Sequence, residues 1–95
     1  MAIGFGAFLS MHEPAEQWAL ARRVEALGYE SLWTGDHVSF HGPLYESLTL
    51  LASYASVTQR IRLGTAVYLL ALRQPAIAAK ITSTLDALSG GRLIF

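Results

Sequence analysis

The chain has 95 residues, of which 53% are hydrophobic and 15% charged, and its formal net charge is zero. The lack of a basic excess argues against nucleic acid and anionic membrane as partners, and the lack of cysteine excludes disulfides and thiolate metal sites. Because a small domain exposes much of its surface, so few charges indicate either a buried parallel sheet or a surface that something else covers.

Targeting signals are not evident in the sequence. The longest uncharged apolar run lies between Arg62 and Arg73, far short of the ~20 residues that a membrane-spanning helix needs. No Lys or Arg precedes Arg22, so a signal peptide would lack its basic start. We therefore expect a cytoplasmic protein.

The first third of the chain predicts a strand, a helix and a second strand. Residues 2–9 form an apolar run with two glycines, and Pro14 suits the first turn of a helix. The predicted apolar face of this helix consists of Leu20, Val24 and Leu27. Gly28 supplies a helix stop, and residues 30–34 form the second strand.

The remainder predicts two further helices and two further strands. A polar loop covers roughly residues 35–45, the third strand lies within residues 60–70, and Pro75 opens the third helix. The predicted helical faces are Leu48, Leu51, Ala52 and Ala55, and then Ile77, Ile81, Leu85 and Leu88. Residues 89–91 end the third helix, and residues 92–95 begin a fourth strand.

The order of these elements is βαβαβαβ, with about 30 residues per unit, which predicts a parallel α/β sheet with right-handed crossovers. Helix-to-strand returns are short, whereas His12, His37 and His41 all lie in the longer strand-to-helix loops. This is the layout of a (β/α)8 TIM barrel, which takes about 250 residues. We therefore interpret residues 1–95 as one incomplete barrel domain, its N-terminal portion from strand 1 to the start of strand 4. The unpaired edge of the fourth strand predicts a homo-oligomer.

The most informative segment is the end of the second strand, Gly35-Asp36-His37. Ligands and catalysis gather at the C-terminal ends of parallel strands. An imidazole can exchange a proton near neutral pH, so His37 is the candidate catalytic residue. The alternative is a loop histidine bonded to a backbone carbonyl.

Two further patterns have both a functional and a structural interpretation. Gly4 and Gly6 in the first strand, and Gly64 to Ala66 in the third, indicate either close approach of a flat ligand or room for neighbouring side chains. A metal site built from His12, Asp36, His37 and His41 is possible on paper. Its spacing matches no helical ligand pair and no tight turn pair, so no metal is expected.

Taken together, residues 25–37, 60–67, 73–75 and 85–93 resemble the luciferase-like monooxygenase family. The central motif of the resemblance is Trp33-Thr34-Gly35-Asp36-His37. That family comprises relatives of bacterial luciferase, flavin-dependent monooxygenases and deazaflavin F420-dependent reductases. The resemblance spans nearly the whole chain, with several pieces in order at family-like spacing.

The resemblance implies a barrel that holds FMN or coenzyme F420 at its C-terminal face and oxidises or reduces a small organic substrate. It places a non-prolyl cis peptide at Ala66-Val67, behind the cofactor ring, and His37 near the reactive edge, for proton transfer or for holding the cofactor. Asp36 would orient the loop or the cofactor. The predicted cofactor contacts are Asp36, Thr65, Ala66, Val67 and Gly6.

The sequence departs from the family pattern at Gln74, where many members have histidine. The family also draws much of its grip on the cofactor phosphate from strands beyond the fourth, so the 95 residues alone are expected to be inactive. Two alternatives stay open: a non-catalytic half-barrel that self-associates, and a metal-dependent sugar isomerase. The sequence does not distinguish FMN from F420.

Overall fold

A computed structural model describes residues 3–9 and 12–95 of the chain. Its elements, in chain order, are β1 (Gly6–Phe8), α1 (Pro14–Ala26), β2 (Ser31–Thr34), α2 (Ser47–Val57), β3 (Arg62–Thr65), a 3-10 turn (Leu70–Leu72), α3 (Pro75–Leu88) and β4 (Leu93–Ile94). Within the part of the chain described, no helix is long and apolar enough to cross a membrane.

The four strands form one parallel sheet in the order β1-β2-β3-β4. Trp33 of β2 lies in register with Phe8 of β1 on one side and Gly64 of β3 on the other, and Gly64 pairs with Ile94 of β4. Consecutive parallel neighbours require a helix to cross over between them each time, as the alternating sequence pattern predicts. All four strands therefore end at the same edge of the sheet.

The hydrophobic core lies between the helices and one face of the sheet. Leu32 and Leu63 from the strands are fully buried, as are Leu51 and Tyr54 from α2. The core cluster also contains Ala21, Val24, Leu48, Leu50, Ile61 and Leu85. Because side chains alternate along a strand, the opposite face of the sheet carries Phe8, Trp33 and Ile94.

On that opposite face, the Trp33 indole occupies the space left by two glycines. A Cβ atom at Gly64 would lie 2.5 Å from Trp33 Cζ3, and one at Gly6 would lie 2.6 Å from Trp33 Nε1. The indole N–H donates to Ser31 Oγ at 2.8 Å. The glycines on both neighbouring strands therefore make room for one large side chain.

This packing predicts that Gly64→Ala destabilises the fold by about 1–3 kcal/mol, because the added methyl group overpacks against the Trp33 ring. Urea denaturation of the wild-type and variant chains measures the effect. In a Trp33→Leu background the same Gly64→Ala change is expected to cost little, because the ring is gone. Equal losses in both backgrounds would contradict the packing argument.

Just before the start of β3, three successive backbone N–H groups donate hydrogen bonds to Glu25 of α1. Glu25 is 8% exposed, and its carboxylate contacts the N–H groups of Gln59, Arg60 and Ile61 at 2.8–3.0 Å. Burial alone would raise the pKa of Glu25, but these hydrogen bonds and the Arg60 charge lower it below its usual value. The ionised carboxylate therefore fixes the turn that leads into β3.

The helix bounds agree with the sequence signals, but two helical faces were predicted only in part. In α1 the predicted Val24 is buried, but Leu27 is 63% exposed, and the helix also buries Gln17, Ala21 and Glu25. In α3 only Ala78 and Leu85 are buried, while Ile77, Ile81 and Leu88 are 59%, 44% and 80% exposed. Helix α3 therefore contacts the rest of the domain through Ala78 and Leu85, and much of its most apolar stripe stays exposed.

The strands are also shorter than their apolar runs. Strand β1 covers Gly6–Phe8 rather than residues 2–9, and Ala2 lies outside the described residues. Strand β3 ends at Thr65, and the apolar residues after it form a bend and the 3-10 turn. The apolar run in the sequence is therefore longer than the part of it that pairs in the sheet.

Candidate functional site

A cavity of about 260 Å³ lies at the C-terminal ends of β3 and β4. Its lining residues are Thr65, Val67, Tyr68, Leu70 and Phe95. Two of the predicted cofactor contacts, Thr65 and Val67, therefore share one cavity. Small-molecule pockets usually enclose roughly 300–1,000 Å³, so this cavity lies just below that range.

The peptide bond between Ala66 and Val67 is cis, as the family resemblance implies. The Ala66 N–H donates to the Thr34 carbonyl at 3.0 Å, which ties the segment to the end of β2. Val67 is 70% exposed and lies beside the cavity. The backbone at the end of β3 thus presents an apolar surface that a flat ring could contact.

Asp36 is held by the turn that follows this cis peptide. Its side chain is 1% exposed, and its Oδ1 lies 2.8 Å from Arg73 Nη2. Its Oδ2 accepts a hydrogen bond from the Leu69 N–H at 2.8 Å. Both carboxylate oxygens are therefore engaged by protein groups, which favours the predicted role of orienting the loop over direct contact with a cofactor.

The environment of Asp36 keeps its carboxyl group ionised. Burial alone would raise the pKa of Asp36, but the hydrogen bonds from Arg73 and Leu69 and the Arg73 charge hold it below its usual value. A lowered folded-state pKa stabilises the fold above the unfolded value. That contribution is lost as the pH falls through the folded-state pKa.

His37 follows Asp36 but is exposed rather than buried with it. Its ring stacks on Phe40 with ring centroids 4.7 Å apart, and His41 packs on the same ring at 4.1 Å. The accessible imidazole at the end of β2 is free of the Asp36 carboxylate, as expected for adjacent residues in a loop. Its participation in catalysis stays a prediction.

Gly6 stays a predicted cofactor contact, but the structure favours the alternative interpretation of this glycine. The space above it is filled by the Trp33 indole and the Ser31 hydroxyl, each within 2.7 Å of where a Cβ would lie. The alternative interpretation, room for neighbouring side chains, explains both Gly6 and Gly64. A flat ligand could not approach the β1 backbone there without displacing Trp33.

The four residues of the hypothetical metal site do not come together. His12 lies 3.5 Å from Glu16 at the start of α1, Asp36 is paired with Arg73, and the imidazoles of His37 and His41 pack on Phe40. Among residues 3–9 and 12–95, no three His, Asp or Glu side chains are placed to hold a metal ion.

Sequence reasoning did not assign roles to Tyr68, Phe95 or Gln74. Tyr68 and Phe95 meet edge to face at the cavity with ring centroids 5.0 Å apart. Gln74, where many family members have histidine, caps α3 by accepting the Ala76 N–H at 2.8 Å. A glutamine directly before a helix-opening proline could have suggested the cap, but the aromatic pair depends on tertiary contacts.

Two other grooves lie among the helices, away from the strand ends. One of about 390 Å³ lies between α2 and α3, and one of about 220 Å³ between α1 and α2. The larger groove offers an apolar lining with Lys80 as its charged group. The cavity at the strand ends is the better candidate, because the titratable residues Asp36, His37 and Arg73 lie at that edge.

The residues at the strand ends fit part of a flavin or deazaflavin cofactor. Val67, Phe8 and Phe95 are 70%, 55% and 61% exposed and offer apolar surface for a planar ring system. Arg73, a cation beside the cavity, is already engaged by Asp36. The described residues therefore suit the ring rather than the phosphate-bearing tail.

Known proteins match this chain over almost its whole length. The luciferase-like monooxygenase family profile matches residues 3–95. The 4-hydroxyprotoasukamycin monooxygenase of Streptomyces nodosus subsp. asukaensis is 39% identical over 100 residues, covering 95% of this chain and 27% of the relative. The chain thus spans about a quarter of the length of that curated relative.

Solved structures show the same architecture. The coenzyme F420-dependent tetrahydromethanopterin reductase of Methanopyrus kandleri superposes with a TM-score of 0.86 at 32% identity, covering 99% of this chain and 26% of the reductase. The oxygenating constituent of 3,6-diketocamphane monooxygenase from Pseudomonas putida, solved with FMN, gives a TM-score of 0.84 at 21% identity, covering 99% of this chain and 29% of that one. The second likeness shows the fold alone. Together they confirm the predicted N-terminal portion of a (β/α)8 barrel.

Proposed function

The chain belongs to the luciferase-like monooxygenase family, and we propose that it supplies the ring-binding side of the active site in a flavin- or F420-dependent oxidoreductase. The observation that carries the proposal is the exposed Ala66-Val67 segment beside the cavity at the end of β3. The substrate would be a small organic molecule, as in a monooxygenase or a reductase of this family.

In this proposal the residues at the strand ends have different roles. Ala66, Val67 and Thr65 hold one face of the cofactor ring by apolar and backbone contact, and Asp36 keeps the turn after Val67 in place. The bound cofactor supplies the redox chemistry, by hydride exchange or by activation of oxygen. His37 gives or takes the proton that accompanies that chemistry, since an imidazole can do so near neutral pH.

We further propose that activity requires a complete barrel. The complete protein is the product of the full reading frame in which these residues occur. The family match covers the chain, while the chain spans 27% of the Streptomyces relative. The cavity volume of about 260 Å³ also falls short of a whole ligand pocket. The 95 residues alone are expected to bind cofactor weakly or not at all, and to be inactive.

An absorbance titration with FMN and with F420 tests this proposal. We expect the complete protein to bind one of the two at micromolar concentration or tighter, and the 95-residue chain to bind far more weakly. Equal micromolar binding by the 95 residues would overturn the requirement for a complete barrel. A native gene with a stop codon after Phe95 would count against the enzyme itself.

The second candidate is a non-catalytic half-barrel that persists by self-association. It is favoured by the exposed apolar side chains of Phe5 and Phe8 near the β1 edge and of Phe95 after β4. Unpaired strand edges pair readily with other chains. Light scattering of the 95-residue chain decides, because a monomer at high concentration would exclude it. For either candidate we propose a cytoplasmic location.

A further inference from the structure

Asp36 and Arg73 together hold both backbone polar groups of one residue, Leu69, in the turn beside the cavity. The Leu69 N–H donates to Asp36 Oδ2 at 2.8 Å, and Arg73 Nη1 donates to the Leu69 carbonyl at 3.2 Å. The two side chains also contact each other, because Arg73 Nη2 donates to Asp36 Oδ1 at 2.8 Å. The turn is thereby tied to the end of β2 on one side and to the start of α3 on the other.

The same guanidinium also lies over an aromatic wall of the cavity. Arg73 Cζ is 4.5 Å from the centroid of the Tyr68 ring, within the range of a cation–π contact. Tyr68 in turn packs edge to face on Phe95, with ring centroids 5.0 Å apart. Tyr68 and Phe95 both line the cavity at the end of β3. A contiguous chain of contacts therefore leads from Asp36 to the cavity wall.

We propose that Arg73 is a positioning residue for the cofactor ring, acting through Tyr68. It contributes no direct contact to the ring. It holds Tyr68 in the orientation that forms the wall facing Val67, and it keeps the intervening turn against β2. This inference rests on the proposed function, and it assigns the affinity of the ring site to a residue outside the cavity lining.

Lysine cannot replace arginine in this arrangement. Arg73 uses Nη1 for the Leu69 carbonyl and Nη2 for Asp36, while the plane of the guanidinium covers Tyr68. Glu46 Oε1 lies 3.7 Å from the same Nη2. A lysine ammonium is a single point charge that can keep the pairing with Asp36 but lacks the planar fork needed for the other contacts.

The test compares Arg73→Lys, Tyr68→Leu and the double variant in the complete protein, by titration with FMN and F420. We expect each single change to weaken cofactor affinity by roughly 5- to 10-fold, the size of one lost cation–π contact. The double variant is expected to be no weaker than the weaker single variant, because both changes remove the same wall. Tyr68→Phe keeps the ring and is expected to stay within about twofold of wild type.

Arg22→Lys is the matched control, since Arg22 is exposed on α1. Hydrogen exchange at the Leu69 amide reports on the turn independently of the cofactor. We expect this exchange to be faster in Arg73→Lys than in wild type, and unchanged in Arg22→Lys. Unchanged affinity in Arg73→Lys, or fully additive losses in the double variant, would overturn the inference. If Arg73→Lys does not fold, equal affinities of Tyr68→Leu and Tyr68→Phe would overturn it instead.

The two proposals fail in different ways. A folded complete protein that binds neither cofactor overturns the proposed function and this inference with it. Normal cofactor binding by wild type together with normal binding by Arg73→Lys overturns the inference and leaves the proposed function standing.

Discussion

Replacing His37 with alanine in the complete protein is expected to lower turnover by about 10²- to 10⁴-fold, the usual contribution of a positioned proton donor or acceptor. His37 is exposed at the end of β2, and its ring contacts Phe40 rather than the hydrophobic core. The denaturant midpoint should therefore stay close to wild type. Steady-state rates measured with the bound cofactor, across a range of pH, report the effect.

The matched control is His41→Ala in the same loop. His41 packs on the same Phe40 ring at 4.1 Å, so its removal disturbs the loop in a similar way. We expect this variant to keep its turnover within a fewfold of wild type. If both variants lose activity equally, the loop rather than the His37 imidazole is responsible; if neither does, His37 has no part in the chemistry.

Replacing Glu25 with alanine is expected to destabilise the fold by about 2–3 kcal/mol. The change leaves the buried N–H group of Ile61 and the partly buried N–H groups of Gln59 and Arg60 without their acceptor, and an unsatisfied buried donor costs ~1–3 kcal/mol. That loss is a large part of the ~5–15 kcal/mol that stabilises an ordinary domain. Urea denaturation at neutral pH measures it.

Acid titration of stability provides the second readout for Glu25. Because its pKa is lowered in the folded state, Glu25 stabilises the fold above its ordinary pKa of 4.5, and this contribution is lost as the pH falls through the lowered value. Stability of Glu25→Ala should therefore fall less steeply with acid than that of wild type. Glu16→Ala is the control, since the Glu16 side chain is 58% exposed. Equal stabilities of the two alanine variants would contradict the account.

The order of elements could be predicted because its signals are local. Pro14 and Pro75 occupy the first positions of α1 and α3, and Gly28 has the positive φ of 88° that suits a helix end. The buried faces of the helices were harder to predict, because the spacing of apolar residues identifies an apolar stripe on a helix but not the element that packs against it. The exposed Ile77 and Leu88 of α3 lie beside the stripe that contacts the sheet.

The candidate site was only partly predictable for a related reason. Strand order alone brings Asp36 and His37 to the edge where β3 ends, so their placement follows from topology. The Arg73–Asp36 contact and the Glu25 hydrogen bonds join residues from distant segments through loop geometry, which no spacing pattern encodes. The sequence left the role of Gly6 open, because a glycine in a strand does not reveal whether a ligand or a side chain uses its space.

A crystal structure of the complete protein with FMN or F420 tests the central claim most directly. We predict that one face of the cofactor ring lies in van der Waals contact, about 4 Å, with Ala66 and Val67, and that its reactive edge faces His37. A ring bound in the groove between α2 and α3, or anywhere away from the C-terminal end of β3, would contradict the account.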